Sequence, residues 1–284
     1  MIAASPTSHR KGIFILLLTT VIWGTSFPVL KDTLSSLPPS VLILVRYSIA
    51  AIALLPWLRN LNGKLLRDGA LLGSILFFET GFALTGMETI SASRSAFLVG
   101  MNVIFVPLIG IFMGRPLARR VLIATGIAVA GISIMSLEGS GIRSGDLLTL
   151  VSALGIAIYI LLLEAIAPRH SFLALASVQI WTMVLLGGLW AVPEMLSQAV
   201  EIGDRLPQLI YLGLVVTIGP LCGQALGQRW VPAHEAALLY TMEPVFATLF
   251  SFLILGEGLG LRGAIGAACI LVATVVSQYR QQHS

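Results

Sequence analysis

Charge is what this chain has least of. Of its 284 residues only 11% are charged, while 57% are hydrophobic. A soluble domain carries about 25% charged residues, so the polar surface needed to cover a water-soluble globule is missing, and the mean hydropathy of +0.95 agrees. Cysteine is scarce too. Cys222 and Cys269 both lie inside apolar runs, where they read as small buried hydrophobes rather than as a disulfide or a metal pair. No basic run exceeds two residues. The pI near 9.4 therefore reflects the Lys and Arg bias of membrane loops, not nucleic-acid binding. HExxH, CxxC and a nucleotide-binding loop are absent, and no Ser or Cys stands beside a His within an apolar run. The nearest lure, Ser144–Gly145–Asp146, sits at the edge of a run. These absences argue against an enzyme, a bound metal, a cofactor and direct use of ATP.

What the chain does have is apolar runs of roughly 17–25 residues, the length that carries a helix across the hydrocarbon of a bilayer. Cutting at polar or Pro/Gly-marked breaks gives ten: 12–30, 40–58, 68–88, 91–113, 118–137, 145–166, 172–193, 207–228, 233–255 and 259–279. The expected class is an all-α integral membrane protein with ten transmembrane helices. The polar Met1–Lys11 segment and the long run after it do not have the form of a cleavable leader. The connection around Pro193–Pro207 reads as a solvated loop. With ten spans both termini share a side, and that side collects Arg10, Lys11, Arg59, Lys64, Arg67, Arg115, Arg119, Arg120, Arg169, Arg229 and Arg280. The other side holds Lys31, Arg94, Arg143, Arg205 and Arg262. This bias places both termini in the cytoplasm.

The chain also repeats itself. SASRSAFLVGMNVIF (Ser91–Phe105) aligns with PAHEAALLYTMEPVF (Pro232–Phe246) at an offset of 141. Earlier, at an offset of 133, Gly12 meets Gly145 and Arg46 meets Gln179. The reading is a duplication: a tail over 1–11, a first five-helix repeat over 12–137, a second over 145–279 and a tail over 280–284. Five is odd, so the second copy enters the membrane from the opposite face. Such an inverted repeat implies a site at the midplane that either half can open.

Against this background four residues are out of place. Glu79, in FFETGFAL (Phe77–Leu84), Glu243, Arg46 and Asn102 each fall near the middle of a different span. An ionisable group there costs at least about 2.5 kcal/mol, so it survives by facing a watered cavity and finding partners. In one reading Arg46 neutralises one glutamate as a structural pair and Asn102 joins two helices. In the other, one arginine cannot offset two carboxylates, and the carboxylate left over is a group that can exchange a proton or recognise a cationic substrate. Pro244, next to Glu243, reads as an in-helix proline freeing a carbonyl near Tyr240, and Pro28 in WGTSFP (Trp23–Pro28) frees that of Gly24. Trp23 offers a flat wall for stacking. Tyr159, Gln179, Gln224 and Tyr240 could line the same path or simply pack. Gly73, Gly126, Gly131, Gly263 and Gly266 suit close helix approach. Arg94, His234 and Glu235 lie near span ends, where snorkelling and gate salt bridges are both open. His9 is a tail residue without signal.

WGTSFP (Trp23–Pro28), AALLYTMEP (Ala236–Pro244) and LGE (Leu255–Glu257) resemble the drug/metabolite transporter superfamily in its EamA branch, over nearly the whole chain. The resemblance implies ten helices in an inverted five-plus-five repeat, cytoplasmic termini in the inner membrane, a central cavity and alternating access. It also implies export of small metabolites such as amino acids, purines or amphipathic compounds. The first copy departs from the pattern: it reads Gly114–Arg115–Pro116 where a Gly-Glu is common, and Asn102–Val103 where the second copy has Glu243–Pro244. Glu79 is not part of the general motif. The expected partners are a small-molecule substrate and the lipid bilayer, with monomer and homodimer both open.

Overall fold

A computed structural model describes residues 6–112, 114, 119–136, 142–240, 242–256, 258 and 260–278. Arg115, Pro116, Glu257 and Arg280, singled out above, lie outside them, as do the side chains of Arg59, Arg120 and His234. Among the described residues everything regular is helical. In chain order the helices are α1 (Pro6–Thr33), α2 (Pro39–Ala53), α3 (Gly63–Thr89), α4 (Ala92–Val99), α5 (Asn102–Phe112), α6 (Arg119–Ser136) and α7 (Ser144–Ile166). They continue with α8 (Phe172–Ala191), α9 (Ala199–Asp204), α10 (Leu206–Ile210), α11 (Gly219–Gly227), α12 (Ala233–Tyr240), α13 (Glu243–Leu255) and α14 (Leu261–Gln278). A π-helical stretch, Tyr211–Ile218, joins α10 to α11.

Among the described residues six apolar stretches are long enough to cross a membrane by length and composition: Thr7–Thr33, Gly63–Thr89, Ala92–Phe112, Ser144–Arg169, Phe172–Ala191 and Leu206–Gly227. Pro39–Ala53, Glu243–Leu255 and Leu261–Ala273 are shorter apolar helices. Helix starts follow local chemistry. Pro39 opens α2 where its missing N–H costs nothing. Asn62 accepts from Leu65 N at 2.9 Å to start α3, and Ser91 accepts from Arg94 N at 3.2 Å to start α4. Gly256, at φ +67°, ends α13 in the left-handed conformation that glycine adopts freely. The expected span 40–58 is shorter in fact: α2 stops at Ala53, and Pro56 sits in the 3₁₀ turn Leu55–Asn60 that follows. The connection around Pro193–Pro207 is not open loop either, since it folds into a short 3₁₀ turn and α9. Arg205 there donates to Asp32 and Ser36 at the end of α1.

Of the two expectations about proline, one needs correction. Pro28 does lie within a continuous α1, where Thr25 and Ser26 donate to the carbonyls of Ile22 and Trp23 at 2.6 Å. Pro244 does not kink a helix from inside. α12 is described as far as Tyr240 and α13 begins at Glu243, so Pro244 occupies the first turn of α13. The same break occurs without proline between α4 and α5, at Gly100–Met101. There Met101 N bonds Leu98 O and Ile104 N bonds Met101 O, which tightens one turn to i→i+3 spacing. The two breaks fall at equivalent positions of the repeat and meet each other: a Cβ on Gly100 would stand 3.1 Å from Pro244 Cγ.

Packing is closest where glycine removes a side chain. At Gly24 a Cβ would collide with Phe246 on α13, and at Gly131 on α6 it would stand 2.7 Å from Gly266 O on α14. Gly73 approaches Gln179 O on α8 in the same way. Gly126 does not, since nothing lies within 4 Å of it, so its expected role in tight approach fails. Large apolar side chains such as Phe14, Ile52, Phe112, Leu189 and Leu253 are exposed on several helices, a surface that lipid would cover. Overpacking a tight crossing costs about 1–3 kcal/mol. Gly24→Val is therefore expected to lower the thermal midpoint and the folded yield in detergent, while Gly126→Ala leaves both unchanged.

Candidate functional site

The end of α5 that faces inward begins with Asn102, and that of α13 begins with Glu243. Each half-helix thus starts beside the cavity, and its opening turn stays bonded to the one before it: Val103 N bonds Gly100 O, and Phe246 N bonds Met242 O. Asn102 donates its Nδ2 to Val99 O at 2.8 Å, closing the end of α4, and its buried Oδ1 meets no donor among the described residues.

Glu79 enters from α3. It fits because α7 has a glycine opposite: a Cβ on Gly155 would stand 2.8 Å from Glu79 Cβ. Thr80 donates to one carboxylate oxygen at 2.9 Å and Ser152 to the other at 3.3 Å. Neither donor is a cation. Arg46, on α2, lies elsewhere: its Nε donates to Thr217 Oγ1 at 2.7 Å, and its guanidinium carbon stands 5.2 Å from the Tyr47 ring centroid. Among the described residues no carboxylate lies within ion-pair distance of Arg46. The ion pair weighed from the sequence is therefore not formed with either glutamate, and the ends of the guanidinium beyond Nε are left for what enters the cavity. Thr217 passes the contact on, donating to Leu212 O at 2.8 Å inside the π-helical stretch. Wide turns of this kind recur at functional sites.

These groups wall one cavity of about 880 Å³ of atom-free space, its mouth included, lined by Trp23, Arg46, Glu79, Asn102, Tyr159, Tyr240 and Glu243 among others. Trp23 and Tyr240 meet edge to face with centroids 5.5 Å apart. Gln179 is not on the wall. It sits behind it, fully buried, accepting from Tyr159 Oη at 2.7 Å. Pro28 is not part of the lining either, although its neighbours Ser26 and Phe27 are. Sequence reasoning missed Tyr47, Thr80, Ser152 and Thr217. The hydroxyl groups gave no signal, because a lone Ser or Thr in an apolar run is common. Tyr47, beside Arg46, could have been found. Among the described residues no cluster of metal-ligating side chains occurs.

In chemical terms the cavity offers two carboxylates and an unpartnered amide oxygen as acceptors, a guanidinium as donor, and an aromatic wall between. That set can hold a small molecule carrying a cationic group, an anionic group and an apolar body.

Comparison with known proteins agrees with this architecture. An uncharacterized transporter of Archaeoglobus fulgidus is 27% identical, over 93% of this chain and 85% of the relative. A probable amino-acid metabolite efflux pump of Salmonella typhimurium is 25% identical over 95% of each. A probable terminal-alkyne amino-acid exporter of Streptantibioticus cattleyicolor is 25% identical over 92% and 93%. A solved crystal structure matches with a TM-score of 0.72 at 15% identity, covering 95% of this chain and 96% of the other, so its fold is similar. The model of the EamA-like transporter family matches twice, at residues 10–137 and 143–278. Those two matches span nearly the whole chain: it belongs to the EamA-like transporter family, within the drug/metabolite transporter superfamily.

Proposed function

We propose that the chain is a secondary active exporter of small metabolites that carry an amine, working by alternating access around the cavity just described. The observation that carries this reading is the cavity's lining: two carboxylates from different helices, an arginine paired with neither, and half-helix termini turned inward. Broken helices that line a midplane site are the form such sites take in carriers built from inverted repeats. The ten-helix inverted architecture, with repeats over 12–137 and 145–279, is part of the proposal. It is supported by the equivalent placing of the two helix breaks and by the double family match. The excess of Lys and Arg on one side supports cytoplasmic termini in an inner membrane.

The relatives named as amino-acid exporters favour zwitterions as substrates. In that pose the ammonium lies toward Glu243 and Asn102 Oδ1, the carboxylate toward Arg46, and the side chain against Trp23 and Tyr240. Glu79, held only by neutral hydroxyl donors, is free to exchange a proton and so to couple export to a proton gradient.

The test is counterflow in proteoliposomes across a panel of amino acids, a polyamine and a purine. Accumulation of labelled zwitterion against its unlabelled form supports the reading, and no counterflow for any amine in the panel overturns it. Charge-assisted hydrogen bonds are worth about 1.5–3 kcal/mol, so Arg46→Ala is expected to weaken binding roughly 10- to 100-fold at unchanged folded yield. A yield that collapses and recovers when Glu79 is also neutralised would restore the structural ion pair. Glu79→Gln is expected to abolish gradient-driven flux while counterflow persists; gradient-driven flux at the wild-type rate would end its coupling role.

A further inference from the structure

Away from the cavity, and besides the Asp68–His170 and Asp32–Arg205 pairs, charged side chains gather at the hairpin between α3 and α4 and at the hairpin between α11 and α12. The two clusters lie at opposite ends of α1. His9 and Lys31, which belong one to each, are about 33 Å apart along that helix at a rise of about 1.5 Å per residue. The cavity residues Trp23, Ser26 and Phe27 lie between.

The seats of the two hairpins are the same construction. At the first, α7 meets α3 through glycine: a Cβ on Gly86 would stand 2.7 Å from Gly145 O and 2.6 Å from Thr149 Oγ1. At the second, α1 meets α11 through glycine: a Cβ on Gly227 would stand 3.3 Å from Gly12 O and 2.6 Å from Leu16 Cδ2. Gly12 and Leu16 precede Gly145 and Thr149 by the smaller of the two offsets at which the sequence repeats, and Gly86 precedes Gly227 by the larger.

Two of the fastening residues at each hairpin follow the same offsets with their charges reversed, while His9 and Asp146 are not counterparts. At the first hairpin, Arg94 of α4 binds Asp146 of α7 through two bonds of 2.7 Å. Lys31 of α1 donates to the carbonyls of Met87 and Ile90 at 2.6 and 2.9 Å. At the second, Glu235 of α12, the repeat counterpart of Arg94, binds His9 of α1 at 2.7 Å. Glu164 of α7, the repeat counterpart of Lys31, accepts from Ala233 N at 3.0 Å. Each hairpin is therefore held by a side-chain pair and by a charge from the other helix on its backbone, α1 and α7 exchanging these roles, and Arg143 adds a bond to Thr89 O at the first. His9, assigned no signal in the sequence, is one of the four anchors that α1 and α7 supply.

We propose that these two clusters are the clamps of the two gates, and that export proceeds by releasing one hairpin from α1 and α7 while the other stays fastened. The inference rests on the carrier reading above. Snorkelling alone does not account for it, because Arg94 and Asp146 have side chains only 12% and 3% exposed and engage each other rather than solvent. The clamps differ in strength. His9 and Glu235 are 34% and 36% exposed, where ion pairs are weak, whereas the Arg94 pair is buried and two-pronged.

Sided labelling tests this without requiring a substrate. With Cys222→Ser and Cys269→Ser as background, a Ser26→Cys reporter on the cavity wall is reacted with a membrane-impermeant maleimide in sealed vesicles of each orientation. Only variants that elute as monodisperse protein after extraction are compared. Arg94→Gln and Lys31→Met are expected to raise the labelling rate about fivefold or more from one face alone. Glu235→Gln and Glu164→Gln are expected to raise it from the other face alone. Rates that do not sort by cluster, or that equal the parent's while the parent is labelled, overturn the clamps and leave the carrier reading intact. A reporter that neither face reaches in any of these proteins removes the carrier reading and the clamps with it.

Discussion

A carboxylate in hydrocarbon has no water to hydrate it and no lipid atom to donate a hydrogen bond. Glu79 and Glu243 are therefore tenable only where the bundle supplies polar company, and much of the architecture can be traced to that requirement. Gly155 clears the backbone opposite Glu79, Thr80 and Ser152 supply its donors, and the break before α13 gives Glu243 a helix terminus instead of a helix middle. Arg46 is withheld from both and occupied by Thr217 and the Tyr47 ring. The cavity is thus charged but not self-neutralised, which is what a site that must bind and then let go requires.

The helix breaks illustrate how two sequences reach one geometry. In the second copy Pro244 removes the N–H that would have continued the helix from Tyr240. The first copy has Val103 at that position and breaks nonetheless, with Gly100 in the gap and Asn102 closing the end of α4 through its own side chain. The contact of Gly100 with Pro244 gives each gap a reason in the other. Neither half alone would explain why the chain interrupts an otherwise apolar helix at that depth.

Much of this was legible in the sequence. The helical class and the apolar stretches follow from composition and spacing, and Arg46, Glu79, Asn102 and Glu243, singled out as polar residues within those stretches, do share one cavity. What escaped has physical reasons. Which face of a helix a residue occupies depends on neighbours that periodicity cannot name in an all-apolar run, so Gln179 was placed on the wall when it stands behind it. Ion pairing was inferred from charge balance, but a hydroxyl group can hold a guanidinium as well as a carboxylate can, and Thr217 does. The wide turn at Tyr211–Ile218 has no composition of its own. The relation of Lys31 to Glu164 and of Arg94 to Glu235 was present in the repeat, yet hidden by the reversal of sign, since alignment by similarity passes over opposites.

That reversal has a further consequence. Two copies with like charges at their fastenings would answer alike to the electrolytes at either end. Here one compartment bathes a half-exposed histidine pair that its electrolytes screen, while the other faces a pair shielded by protein. Salt therefore acts unevenly on the two proposed clamps, loosening the His9–Glu235 contact before it reaches the Arg94–Asp146 pair.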